Sequence, residues 1–186
     1  KLYPERYREK SFIDNFLKLA PRQLDRINNL LTGMLNFAKP TSENFLPTDL
    51  QKVIENSLTL LTVPAKKQGI AIVKNISAVP KIKGSAKALE QVIINLGLNA
   101  IQAMKDGGTL TISLQKKETE IMFKISDTGE GISKKDLPHI FEPFFTKKHD
   151  GTGLGLAITY RIIENHNGRI AVTSQKGAGT TFTITF

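Results

Sequence analysis

Apolar residues recur at helical intervals from Ser11 to Ala38, at Phe12, Phe16, Leu19, Leu24, Ile27, Leu31, Met34, Leu35 and Ala38. That period predicts a helix with one apolar face and with Ser11 in the N-cap place. Pro21 falls inside it and predicts a kink or a split, because proline removes a backbone donor. The stripe fits a helix that packs into a bundle and, equally, one buried against its own domain. Residues 1 to about 10 are polar and contain Pro4, so they read as a loop, and Lys39-Pro40-Thr41-Ser42 reads as a short linker.

Beyond the linker the pattern switches between the helical period and simple alternation. A brief extended piece at 45–49 leads into a capped helix over about 49–67, with Leu50, Val53, Ile54, Ser57, Leu58 and Leu61 on one side and Pro64 near its end. Gly69 to Ile76 alternates and is rich in Ile and Val, which predicts a strand. Pro80 and Gly84 bracket a turn, and the next helix, Lys87 to Met104, is stopped by Lys105-Asp106-Gly107-Gly108. Thr109 to Gln115 and Glu120 to Ser126 read as a hairpin, and Leu154 to Ile163 as a helix. Strands at 168–174 and 180–186 are joined by Gln175-Lys-Gly177-Ala-Gly179. Hairpins mixed with helices in this order predict an α+β fold. It is a two-layer α/β sandwich, a mixed, mostly antiparallel sheet with helices on one face, preceded by a long helix.

Composition changes this picture little. A chain of 186 residues with 40% apolar content fits one ordinary domain, or one domain plus a helical appendage. The absence of cysteine excludes disulfides and thiolate metal sites. No apolar run approaches a membrane span and the N-terminus lacks a signal-peptide pattern, so this portion is expected in the cytoplasm, whether or not the full-length protein is anchored to a membrane. The formal charge is +9. Its lysines are scattered and its aromatics too few for a base-stacking platform, so no nucleic-acid partner is expected.

The chemistry concentrates between Asp127 and Leu156. Two glycine clusters, Asp127-Thr-Gly129-Glu-Gly131 and Gly151-Thr-Gly153-Leu-Gly155, flank an aromatic segment. The second runs into a helix, and free N–H groups at a helix start favour phosphate. The two clusters therefore read as walls of a nucleotide site with a mobile flap between them. Asn95 and Asn99 stand four apart on one helix face, where an amide oxygen can serve a hydrated Mg²⁺ or, alternatively, bond neighbouring loops. Gly97 between them points to close approach of another backbone. Asp127, at a strand end, can accept from an exocyclic amine such as that of adenine, or simply form a turn. Phe141, Phe144 and Phe145 offer the flap an apolar anchor or ordinary core packing. Lys147 and Lys148 lie where a closing flap could neutralise phosphate. Thr180 opens the last strand after a glycine turn.

Taken in order, these motifs make the chain resemble the catalytic, ATP-binding domain of sensor histidine kinases, of the fold shared with gyrase, Hsp90 and MutL. Asn95-Leu-Gly-Leu-Asn99-Ala100 resembles the N box and Asp127-Thr-Gly129-Glu-Gly131 the first glycine box. Phe141-Glu-Pro-Phe144-Phe145 resembles the F box, Gly151-Thr-Gly153-Leu-Gly155-Leu the second glycine box, and Gly177-Ala-Gly179-Thr180 the final turn. The resemblance implies a Bergerat-type ATP-binding fold, with ATP and Mg²⁺ as cofactors. Asn99 would hold Mg²⁺, and Asn95 and Lys148 would serve catalysis beside the phosphates. Asp127 would contact adenine with Thr180 nearby, Gly129 and Gly131 would line that wall, and Gly151, Thr152, Gly153, Leu154 and Gly155 would shape the phosphate end. Gyrase-like ATPases carry a water-activating glutamate where this chain has Asn95, so the resemblance implies phosphoryl transfer to a protein rather than hydrolysis.

The front of the chain, Leu24-Asp-Arg26-Ile27-Asn-Asn-Leu30 through Phe37-Ala38-Lys39-Pro40, resembles the second helix of a dimerisation and phosphoacceptor hairpin. The division implied is 1–40 for that partial hairpin and 41–186 for the catalytic domain. None of His139, His149 and His166 stands in the acid-flanked setting of a phosphoacceptor. Such a fragment is expected to bind ATP without labelling itself. Its partners would be a phosphoacceptor histidine hairpin and a response regulator, with a homodimer at full length. The rival readings are a related ATPase or anti-sigma-type serine kinase, and a nucleotide-gated binding module.

Overall fold

The computed structural model describes residues 10–38, 45–148 and 151–186. The N-terminal loop, the linker at 39–42 and His149 lie outside the described residues. The elements follow the expected order: α1 (Lys10–Ala38), β1 (Leu46–Thr48), α2 (Leu50–Lys67), β2 (Ile70–Ile76), β3 (Ile82–Gly84), α3 (Ala86–Ala103), β4 (Gly108–Lys117), β5 (Glu120–Asp127), α4 (Gly155–Asn165), β6 (Arg169–Gln175) and β7 (Gly179–Thr185). Asp49 starts α2 by accepting from the backbone N–H groups of Gln51 and Lys52, at 3.0 and 3.4 Å, and Ser85 starts α3 in the same way through Ala88.

Two expectations about α1 change. The helix is already running at Lys10, so Ser11 lies inside it rather than capping it. Pro21 neither splits nor ends it, just as α2 continues through Pro64 to Lys67. Each proline leaves the carbonyl four residues earlier unserved, and both of these residues, Leu17 and Leu60, sit on exposed turns where water can bond it. The apolar stripe of α1 is not buried against its own domain: Phe16, Leu19, Leu24, Ile27, Leu31, Met34 and Leu35 are all exposed. Among the described residues no helix is long and apolar enough to cross a membrane.

Five strands pair in the order β2-β4-β5-β7-β6, and every pair is antiparallel except β2 with β4. The parallel pair is reached by the crossover through α3, as parallel neighbours require. A small second sheet joins β1 to β3, a strand that the Pro80–Gly84 turn concealed in the sequence. Alternation assigns the two faces. Leu110, Ile112, Leu114, Ile121, Phe123, Ile125, Phe182 and Ile184 are buried. Between them Thr111, Ser113, Lys124, Ser126, Thr181 and Thr183 stay partly exposed. Helices α2, α3 and α4 supply the other half of the core.

The helices fit together at two points. A Cβ on Gly97 would stand 2.3 Å from Leu61 Cδ1, so the glycine admits a fully buried leucine of α2, not the neighbouring backbone that the sequence suggested. His166, at the C-terminus of α4 and 7% exposed, accepts the Ser85 N–H on Nε2 at 2.9 Å. Its Nδ1 donates to the Ile162 carbonyl at 2.7 Å, and its ring lies 4.6 Å from that of Phe45. His166 thereby ties the end of α4 to the start of α3.

Gly97→Ala is expected to destabilise the domain by about 1–3 kcal/mol through overpacking, despite alanine's better helix propensity. Chemical denaturation of Gly97→Ala, Leu61→Ala and the double variant checks this. The double variant should lose less than the sum of the singles, because the clash needs both side chains.

Candidate functional site

One edge of α3 meets the other motifs in turn. Asn95 Nδ2 donates to the Gly155 carbonyl at 3.3 Å, at the first residue of α4. One turn later Asn99 Oδ1 accepts from Lys148 Nζ at 3.0 Å, and Gln102 Oε1 accepts from the same ammonium at 2.6 Å. The Ala103 carbonyl then accepts the Glu130 N–H at 3.0 Å. Positions 95, 99 and 102 follow the three-to-four spacing that keeps them on one strip. Their neighbours Leu96, Ala100 and Ile101 are in the core.

The bond from Glu130 joins this edge to the second group. Asp127 ends β5 directly opposite Thr180 of β7, and is 7% exposed. Its Oδ1 accepts the N–H groups of Gly129 at 2.8 Å and Thr180 at 3.3 Å, which leaves Oδ2 with acceptor capacity. Burial pushes the Asp127 carboxyl above its ordinary value, and the two amide bonds oppose that rise. Thr180 Oγ1 pairs with Ser174 Oγ at 2.9 Å, and Ser174 Oγ also meets the Ile132 N–H at 2.7 Å. Ser174 is thus part of this wall, although its sequence position in a strand gave no sign of it.

The glycines divide into two uses. A Cβ on Gly131 would meet the Gln175 carbonyl oxygen at 2.1 Å, and one on Gly129 would meet the Ala103 carbonyl oxygen at 2.6 Å, so these residues let chain segments pack on one another. Gly153, at φ +69°, would likewise collide with the Phe144 backbone, and Gly151 with Thr146. Gly155 is open on that side, its nearest neighbour being Asn95 Cγ at 3.9 Å. Among the described residues no side chain caps α4 at its N-cap, Leu154, and N–H groups over a bare glycine suit an anion. Thr152 Oγ1 meets the Leu154 N–H at 3.4 Å. The Leu154 side chain is in the core, so that residue has just its backbone to offer.

The flap is held at two points. Phe141 packs on Tyr160 and Phe182, with ring centroids 5.4 and 6.4 Å apart, and Phe145 lies 5.9 Å from His139. Phe144 departs from the expected anchor. It is 54% exposed, and its φ of +69° lies in the left-handed region, where its N–H meets the Gly153 carbonyl at 3.0 Å. Lys147 donates to Asp136 Oδ2 at 2.6 Å, and with a second bond from Ser133 it holds that carboxyl below its ordinary range. Lys148 is exposed, and its ammonium sits between two amides. Loss of water there lowers its pKa, and Glu130 opposes the shift. Glu130 also pairs with Lys105 at 3.8 Å. Of the histidines, His139 is exposed and shares a 2.8 Å bond with Glu142, while His166 is structural.

Among the described residues no cluster of three or more His, Asp or Glu could hold a metal by itself. The Asn99 oxygen nevertheless already faces a cation, the Lys148 ammonium, so its chemistry fits Mg²⁺ carried in by phosphate.

Because the folded state raises the Asp127 pKa, stability conferred relative to Asp127→Asn is greatest below the ordinary aspartate value. It should decline as pH rises through the raised one and then level off. Denaturation of both proteins across a pH series checks this; a flat difference would contradict it.

Residues 84–186 match the sequence family described as histidine kinase-, DNA gyrase B- and HSP90-like ATPases. Sensor histidine kinase ZraS of Escherichia coli strain K12 is 34% identical over 185 residues, which is 99% of this chain and 40% of ZraS. The chain thus spans less than half the length of that relative. Among solved structures, the nucleotide-free catalytic domain of histidine kinase ThkA matches at TM-score 0.70 and 28% identity, over 77% of this chain and 95% of that one. Full-length ShkA in complex with AMPPNP matches at TM-score 0.77 and 25% identity, over 100% of this chain and 39% of that one. Fold, motif order and sequence agree: the chain belongs to the family of histidine kinase-, DNA gyrase B- and HSP90-like ATPases, as a histidine kinase catalytic, ATP-binding domain.

Proposed function

We propose that this chain is the kinase core of a two-component sensor, binding Mg–ATP and passing the γ-phosphoryl group to a histidine on a separate segment. The observation that carries the reading is the amide edge of α3. Asn95 is bonded to the start of α4 and Asn99 presents its oxygen to a cation. An amide at position 95 cannot take a proton from water, which favours transfer to a protein acceptor over hydrolysis. Asn99 would hold Mg²⁺, which would supply positive charge beside the phosphates when bound.

In this reading Asp127 Oδ2 accepts from the adenine amino group while Oδ1 stays on Gly129 and Thr180. Gly155 and the bare N-terminus of α4 receive phosphate with Gly151, Thr152 and Gly153 shaping the approach, and Lys148 supplies positive charge from the flap. Residues 41–186 form the catalytic domain. Residues 1–40 contribute the second helix of a phosphoacceptor hairpin, whose exposed apolar stripe would be covered by the hairpin's other helix and by a second copy of the chain. A response regulator would take the phosphoryl group onward.

The test mixes this chain with Mg–ATP and a separately made phosphoacceptor hairpin. Transfer to the hairpin histidine is expected, with none after Asn99→Ala. Asp127→Asn should weaken ATP binding about 10- to 100-fold, the worth of a hydrogen bond to a charged group. Without the hairpin the chain should stay unlabelled. Acid-labile label on His139, His149 or His166, or acid-stable label on a serine, would overturn the assignment.

A further inference from the structure

We propose that Gln102 is a positioning residue for the flap, which parks the Lys148 ammonium on the Asn99 oxygen until metal-bound nucleotide displaces it. The inference rests on reading Asn99 as the metal ligand. Two amide oxygens from successive turns of α3 converge on one ammonium, at 3.0 Å from Asn99 and 2.6 Å from Gln102. Both distances suit charge-assisted hydrogen bonds. The lysine stands on the flap and the two acceptors on the core helix, so the fork fastens the flap to α3. The charged group facing the fork is Glu130, already shared with Lys105 at 3.8 Å.

The seat is made of neutral oxygens and so accepts a cation without demanding a particular one. It cannot hold two. A divalent ion on Asn99 and an ammonium on the same oxygen would repel at such separation. Metal-bound nucleotide therefore exchanges one cation for another, and the displaced lysine is left beside the phosphates that need it. Gln102 contributes to the parked arrangement alone. It sets how readily the exchange happens without touching the reacting atoms.

Gln102→Leu keeps the helix and most of the side-chain volume while removing the acceptor. In the nucleotide-free chain, acylation of Lys148 by an amine-selective reagent, read by peptide mass spectrometry against Lys147, is expected to quicken about threefold or more, the effect of losing one of two directly bonded partners. Affinity for Mg–ATP should tighten by about three- to tenfold, and that gain should vanish in a Lys148→Met background, because the coupling runs through the lysine. Unchanged Lys148 labelling, or an equal affinity change in both backgrounds, would overturn the proposal. Should the wild-type chain fail to bind Mg–ATP, the functional reading falls, while the labelling comparison still decides whether the lysine is parked.

Discussion

The contact between Gly97 and Leu61 sets the depth at which α3 lies against α2, and the site depends on that depth. With no Cβ at position 97, a buried leucine closes the space and α3 sinks into the core. Sinking it presses Val92, Leu96 and Ala100 inward and leaves the strip of Asn95, Asn99 and Gln102 at the rim, within reach of α4, the flap and the first glycine turn. One helix thereby serves as a wall of the core and as the ruler along which three separate loops are placed.

The electrostatics of that rim are unusual in resting on neutral amides. Among the described residues the one buried carboxylate, Asp127, sits at the other wall and spends one oxygen on the protein's own amides. An acceptor held in such a place discriminates sharply, since a partner lacking a donor would leave it both dry and unpaired. The phosphate side has no carboxylate cage among the described residues. In the proposed reading a nucleotide's negative charge would be met there by Lys148 and by backbone N–H groups at the start of α4.

Much of this was legible in the sequence, because helical period, strand alternation and glycine turns are local signals. The spacing of Asn95 and Asn99 placed both on one strip, and Asp127 at a strand end lay opposite Thr180 as the motif order implied. What could not be read were contacts between distant segments. Gly97 looked like room for a backbone and proved to be room for Leu61. The three flap phenylalanines looked alike, yet Phe144 turns outward because its own backbone is held left-handed by Gly153. Gln102 was detectable in principle, three residues beyond Asn99, but nothing local announced a lysine 46 residues away as its partner. Pro21 did not split α1 for a related reason: a proline's cost depends on whether water reaches the abandoned carbonyl.

His166 has a mechanical consequence. It bridges α3 and α4 at the ends away from the phosphate side, while Asn95 and Gly155 bridge them again about ten residues along, some 15 Å at 1.5 Å per residue. Two helices cross-tied at two levels make a stiff frame. Phe45, the first described residue after the linker, rests on the His166 ring. A push there acts on a frame that cannot shear easily, so it would arrive at the far crosspiece as a tilt of both helices together. Phe45 meets the handle of this frame, and the end proposed to receive the nucleotide is its jaw.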